Sequence, residues 1–323
     1  MPSMSCPPIL FLIFNRPDLT SQVFGAIRQA RPAKLFIAAD GPRRNREHEA
    51  ALCQETRQFV ENRIDWPCEV KKLFRDRNLG CKLAVSSAVT WFFEHVEQGI
   101  ILEDDCLPCS DFFTFCGSML AYHKDTANVT HIGGANFQRG KSRGGGSYYY
   151  SRLVHVWGWA SWRRAWQAYD VDIRSWPCLR EKDWSSEFKM DRRERDYWTD
   201  IFDRVYRGEI DTWDYQWAFA CWQQRSLSVI PNVNLITNIG FRPDATHTVV
   251  PNNDSSLSTG TLEQIVHTKA IIADRKADRF TFNRHFFQPE RQISVLATRF
   301  GRKLRRVFRE RIFGVRKTQQ TEG

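Results

Sequence analysis

Gly99-Ile100-Ile101-Leu102-Glu103-Asp104-Asp105 carries an apolar run directly into three consecutive acids. A segment apolar enough to form a buried strand thus delivers carboxylates to an open edge. Repulsion makes three adjacent carboxylates unfavourable there unless water, hydrogen bonds or a cation compensates. Two readings meet that demand: a solvated acidic turn, or a site for a divalent cation. Mg²⁺ or Mn²⁺ suits such a site, because these hard cations accept one or two protein carboxylates and fill their other positions with water and phosphate oxygens.

Upstream of the acids, short apolar runs alternate with longer helix-like stretches, the pattern of a parallel sheet covered by helices. Strands are expected at Ile9 to Phe14, Leu35 to Ala39, Val70 to Phe74 and Gly99 to Leu102. Between them, Asp18 and Asn45 are expected to cap helices, and Asn78-Leu79-Gly80 leads into a third helix. In an open α/β sheet ligands bind beyond the carboxyl ends of the strands. The residues falling there are Asn15-Arg16-Pro17, Asp40-Gly41-Pro42, Arg75 to Gly80 and the acidic triplet. No Gly-x-Gly-x-x-Gly or Gly-x-x-x-x-Gly-Lys-Ser/Thr loop follows the first strand, which disfavours dinucleotide and P-loop sites. Arg16 before Pro17 instead suggests a phosphate held by a guanidinium.

After the acids, Asp111 to Tyr122 reads as a helix, Val129 to Ile132 as a strand, and the Gly-, Arg- and Ser-rich stretch Gln138 to Ser147 as a mobile loop. From Trp157 to Trp222 ten of the chain's 12 tryptophans crowd together. They form either a tryptophan-rich core or aromatic platforms suited to sugar rings.

The chain has 323 residues, 42% hydrophobic and 26% charged, as expected of an ordinary globular protein with no span long enough to cross a bilayer. Met1 to Pro8 lacks the basic start and apolar core of a secretory signal, so a cytoplasmic location is expected. Nine scattered cysteines do not suggest a disulfide framework, and Cys106-Leu107-Pro108-Cys109 has no partner motif that would complete a zinc site. The net charge of +10 resides largely between Arg291 and Lys317, where ten basic residues face Glu310 alone. A body so nearly neutral argues against specific nucleic-acid binding.

The order of these pieces resembles the GT-A glycosyltransferases, and within them a bacterial group similar to the N-acetylglucosaminyltransferase that starts complex N-glycan branching. Phe14-Asn15-Arg16-Pro17 and Ala39-Asp40-Gly41 look like nucleotide-binding strand ends, and Asn78-Leu79-Gly80 like the loop before the third helix. Ile101-Leu102-Glu103-Asp104-Asp105, followed by Asp111-Phe112-Phe113, looks like the acidic metal motif. Trp157-Gly158-Trp159, Trp213-Asp214-Tyr215-Gln216-Trp217 and Pro231 to Thr248 continue the order.

The resemblance implies a Rossmann-like α/β GT-A fold, with a mixed, mainly parallel sheet flanked by helices. It would occupy residues 1–255, a nucleotide-binding half (1–135) and an acceptor-binding half (136–255), before a helical basic extension (256–323). It implies a metal-dependent transfer from a nucleotide-diphospho-sugar, a UDP-sugar first of all, to a hydroxyl of a glycan or lipid-linked saccharide. Asp105 would bind Mn²⁺ or Mg²⁺, Asp104 would face the sugar, Glu103 the ribose or base, Arg16 the diphosphate and Asp40 the base. Asn15, Asn78 and Gly80 would complete the donor site. Asp214 would be the base of an inverting reaction, against the alternative that it only caps a helix. Arg242 would close over the phosphates, and His247 is either a metal ligand, as in the wider fold, or a loop histidine.

Ile293, Leu296, Phe300, Leu304, Val307, Phe308 and Ile312 recur at helical spacing among the arginines. That basic amphipathic helix would suit an anionic membrane surface at 291–317 on the inner face, or would pack on its own domain or a partner. Two other functions fit the same sequence less fully. A sugar-phosphate nucleotidyltransferase would want a Gly-rich basic loop after the first strand, and a basic adaptor on a degenerate nucleotide fold would need no cleft chemistry.

Overall fold

Ile9-Leu10-Phe11-Leu12-Ile13 is apolar at every position, and all five side chains are buried. A strand covered on both faces needs such a run, whereas a half-exposed one would alternate with polar residues. In the computed structural model, which describes residues 5–241 and 257–287, this strand lies inside an eight-stranded sheet. The elements follow in the order β1 (Ile9–Ile13), α1 (Pro17–Ala30), β2 (Lys34–Ala39), α2 (Glu49–Glu61), β3 (Glu69–Phe74), α3 (Gly80–His95), β4 (Gln98–Glu103), β5 (Cys106–Pro108) and α4 (Ser110–Tyr122). Then come β6 (Val129–Gly133), β7 (Tyr148–Ser151), β8 (Trp159–Trp162), α5 (Arg163–Trp166), α6 (Trp176–Arg180), α7 (Arg192–Tyr206), α8 (Asp214–Gln223), β9 (Leu227–Pro231), β10 (Ile236–Asn238) and α9 (Arg275–Thr281).

The strand order is β3-β2-β1-β4-β8-β6-β9-β7, with β5 and β10 forming a separate antiparallel pair. β3, β2, β1 and β4 run parallel, β8 runs antiparallel to both β4 and β6, and β9 is again parallel to β6. The fold is therefore mixed α/β with a mainly parallel sheet flanked by helices, as the sequence led us to expect. Residues of β1 alternate between two cores. Ile9, Phe11 and Ile13 pack with Phe24 and Ile27 of α1, whereas Leu10 and Leu12 join Val89 and Phe92 of α3 and Trp217 of α8.

Some local expectations change and others are resolved. Asp18 and Asn45 do not cap: α1 begins at Pro17 behind Arg16, proline being favoured in a first turn, and α2 begins four residues beyond Asn45, at Glu49. Cys106-Leu107-Pro108 is a strand, and all nine cysteines are free. The tryptophan-rich stretch is core: Trp159, Trp162, Trp166, Trp176, Trp198, Trp213, Trp217 and Trp222 are all buried. The loop from Gln138 to Ser147 is tied down rather than loose. Asn232 donates to the carbonyls of Arg143 and Gly146, and Arg143 donates to Gln138 Oε1.

The compact unit containing the sheet runs Met1–Phe280. Within it, Asp278 of α9 accepts hydrogen bonds from Ser151 and Arg152, and Ala277 packs with Tyr149 and Ile230. In the second unit, Thr281–Gly323, the described residues end at Phe287 after a short helical turn at Phe282–Phe286. The basic stretch 291–317 lies outside the described residues. No helix among the described residues is long and apolar enough to cross a membrane.

Candidate functional site

The parallel strands end together, and their last residues open into a cleft of about 500 Å³. Ile13 and Phe14 follow from β1, Ala39 and Asp40 from β2, and the acidic triplet from β4. Residues 211–214, ahead of and at the start of α8, form part of the same lining. Eight residues singled out from the sequence thus share one cavity: Arg16, Asp40, Asn78, Gly80, Glu103, Asp104, Asp105 and Asp214.

Asp40 organises the cleft wall at the end of β2. Its carboxylate accepts from the backbone N–H groups of Gly41 and Leu79 at 2.9–3.1 Å and from Asn78 Nδ2 at 2.9 Å. Burial raises its pKa, against these hydrogen bonds. Asn78 also donates to the Gly41 carbonyl and accepts from Gly80 N–H, so the loop before α3 is drawn onto the end of β2. Gly80 adopts φ +79°, and an added Cβ would lie 3.1 Å from Asp211 Oδ2. Both facts favour glycine there.

Arg16 sits between two of the three acids. Nε donates to Asp104 Oδ2 at 3.2 Å, Nη2 donates to Asp104 Oδ1, and Nη1 lies 3.0 Å from Asp105 Oδ2. Burial disfavours the guanidinium charge, yet Asp104 and Asp105 outweigh it and hold its pKa above the ordinary arginine value. Asp104 is almost enclosed, with 4% of its side chain exposed, while Asp105 keeps 18%. Burial, with Asp105 and Asp104 close by, pushes Glu103 above the usual carboxylate range.

Asp105 is fixed by its surroundings. Its carbonyl accepts from Ile239 N–H at 2.8 Å, which continues the β5–β10 pairing, and its carboxylate faces Gly240. A Cβ at position 240 would fall well inside contact distance of Asp105 Oδ2. Asp214 is the first residue of α8 and accepts from Thr212 Oγ1, and the helix has no side-chain cap. Its carboxylate is therefore not consumed in capping its own helix. Asp211 does cap a helix, but a different one: its Oδ1 accepts from Lys82 N–H at 3.3 Å near the start of α3.

Asn15 does not line the cleft; its Nδ2 donates to Glu49 Oε1 at 3.0 Å, and Glu49 also holds Arg43. Arg242 and His247 lie outside the described residues. Sequence reasoning gave no role to Arg43, Asp211 or Gly240 and named Arg75 and Trp157 only within longer stretches; all five line the cleft. Trp157, half-buried and edge-to-face with Phe241 at 5.6 Å, is the tryptophan of the crowded stretch that meets the cavity without being core. The signal for Asp211 was its place just before Thr212-Trp213-Asp214; Gly240 had none without the fold.

Six carboxylates and three guanidiniums line the described cleft, so a polyphosphate would be repelled without an added cation. Among the described residues no three His, Cys, Asp or Glu side chains converge as a closed cage. The partly exposed Asp105 carboxylate, with Glu103 nearby, offers the one-or-two-carboxylate oxygen set that suits Mg²⁺ or Mn²⁺ when phosphates supply further ligands.

No protein-family model matches the chain, and no curated protein matches its sequence. Among solved structures, S. aureus TarS residues 1–349 superposes with a TM-score of 0.40 at 9% identity, over 70% of this chain. The chain spans 58% of that TarS chain. Apo-UDP-glucose pyrophosphorylase gives a TM-score of 0.33 at 10% identity, over 69% of this chain and 90% of the other. The 4-diphosphocytidyl-2C-methyl-D-erythritolsynthase of Anaerococcus prevotii gives 0.32 at 7% identity, over 55% and 85%.

Proposed function

We propose that the cleft binds a nucleotide-diphospho-sugar, a UDP-sugar first of all, and that the protein transfers the sugar to a hydroxyl of a glycan or lipid-linked saccharide with inversion. One observation carries the reading: Asp40, Arg16 and the acidic triplet at the strand ends share a single cleft with Asp214 from the later half of the chain. A donor needs one wall for its base and phosphates, and an acceptor needs a base on the opposite side of the sugar.

In this reading the loop drawn together by Asp40 and Asn78 receives the nucleoside, and Arg16 turns toward the diphosphate. Asp105 would hold Mn²⁺ or Mg²⁺, which when bound neutralises charge growing on the departing phosphate, while Asp104 would face the sugar and Glu103 the ribose or base. Asp214 takes the proton of the attacking hydroxyl, and the hydrogen bond from Thr212 orients its carboxylate. Trp157 lies along the cleft where a saccharide ring can pack. Arg242 closing over the phosphates, His247 as a further ligand, and 291–317 resting on the inner face of an anionic membrane complete the reading from sequence alone.

Calorimetric titration of UDP, GDP and CMP, with and without Mn²⁺, tests it. One nucleotide is expected to bind only with metal, and Asp105→Ala to lose that binding. Asp214→Asn is expected to retain binding and lose transfer by about 10²–10⁴-fold, the usual contribution of a general base. Transfer that survives in Asp214→Asn would remove the base assignment; no nucleotide binding at all would remove the donor.

A further inference from the structure

The contacts of Arg16 raise a question that its expected role at a diphosphate leaves open. The guanidinium already sits on two of the three acids, among them Asp105, to which a cation would be drawn. It engages Asp104 through Nε and Nη2 and Asp105 through Nη1. These contacts are unequal. The pair with Asp104 is two-pronged and its carboxylate almost enclosed, whereas the contact with Asp105 is a single one at 3.0 Å to a carboxylate more open to the cleft. A small rotation of the guanidinium about its Asp104 contacts would release Asp105 alone.

We propose that Arg16 is a built-in stand-in for the cation, so that Asp105 becomes available to a divalent ion only when a diphosphate draws Nη1 away. The idea rests on the nucleotide-diphospho-sugar reading. Its reasoning is electrostatic. With Arg16 in place, the Asp104–Asp105 pair carries a net charge of −1, and an incoming divalent ion meets a fixed guanidinium a few ångströms away. That arrangement weakens binding of the bare ion. A diphosphate supplies negative oxygens to both the guanidinium and the ion, so both can be satisfied together. Gly240 reinforces the device, because the close approach of its backbone leaves Asp105 little room to turn aside and find another partner. Cation and nucleotide then bind as a positively coupled pair, and each raises the affinity of the other by the same factor.

The test measures Mn²⁺ binding by the full-length chain without nucleotide, from the electron paramagnetic resonance signal of free Mn²⁺. Arg16→Gln removes the charge and is expected to bind bare Mn²⁺ at least tenfold more tightly than the parent; adding Asp105→Asn is expected to cancel the gain. Arg16→Lys, which keeps a charge but cannot grip both carboxylates, is expected to fall between and serves if the glutamine variant does not fold. In parallel, UDP, GDP and CDP affinities are measured with and without excess Mn²⁺. If the parent shows Mn²⁺-dependent nucleotide binding while neither variant gains affinity for the bare ion, the stand-in is overturned and the donor reading survives. If no nucleotide and no variant binds Mn²⁺, both fall together.

Discussion

At the scale of single residues, the cleft depends on positions whose importance lies in what they leave out. Gly240 is the clearest, since any side chain there would occupy space held by the Asp105 carboxylate. Gly240→Ala is expected to lower metal-dependent nucleotide affinity tenfold or more, with little change in melting temperature, in paired calorimetric and thermal-melt measurements. An unchanged affinity would mean that Asp105 has freedom the packing denies it. The contrast between Gly240 and the acidic triplet explains what was legible beforehand. Glu103-Asp104-Asp105 announced itself because three acids after a buried run demand compensation by their own chemistry. Gly240 and Asp211 act through partners far away in sequence, Lys82 in the second case being 129 positions from Asp211, so at most the neighbouring Thr212-Trp213-Asp214 hints at Asp211 and nothing local marks Gly240.

At the scale of elements, the placement of α8 decides where Asp214 points, and a buried histidine is part of that placement. Trp217 Nε1 donates to His131 Nδ1 at 3.2 Å, which leaves His131 Nε2 to carry the proton and donate to the His155 carbonyl at 3.0 Å. His131 lies in β6 and Trp217 in α8, so the neutral imidazole joins helix to sheet. Burial pushes the His131 pKa from 6.5 down to about 3, because a charged ring has no water there and a proton on Nδ1 would expel the indole donor. The unfolded chain therefore binds the proton more readily than the folded one. This contribution to stability is full above pH 6.5 and is lost as the pH falls from there toward 3. At pH 5 the loss from this group is about 2 kcal/mol. His131→Gln, which offers an acceptor and a donor without titrating, is expected to flatten the fall in urea midpoint between pH 7 and pH 5, and an equally steep fall would assign the acid sensitivity elsewhere. Strands β1, β2 and β4 were readable because burial on both faces leaves continuous apolar runs, whereas the half-exposed edge strand β3 was readable from its place between two helix-like stretches. The later half was harder, since its tryptophans suit a core and a sugar platform equally until their burial is known.

At the scale of the whole molecule, the expected nucleotide half and acceptor half are interleaved rather than adjacent. β8 lies between β4 and β6, and β9 lies between β6 and β7. A fragment ending at residue 135 would contain β6 but neither of the strands that flank it. Such a fragment is expected to show no cooperative urea transition, while unit Met1–Phe280 unfolds in one step; a folded, monomeric fragment by circular dichroism and sedimentation would contradict this. Sequence order and spatial order also part company during synthesis. When a ribosome has released β6, both edges of that strand remain bare, and the second is covered only after β9 emerges near Leu227. Between the emergence of Gly133 and that of Leu227 the nascent chain therefore exposes a strand edge that any similar strand can pair with, so its yield in a cell should depend on how well newly made chains are shielded from one another.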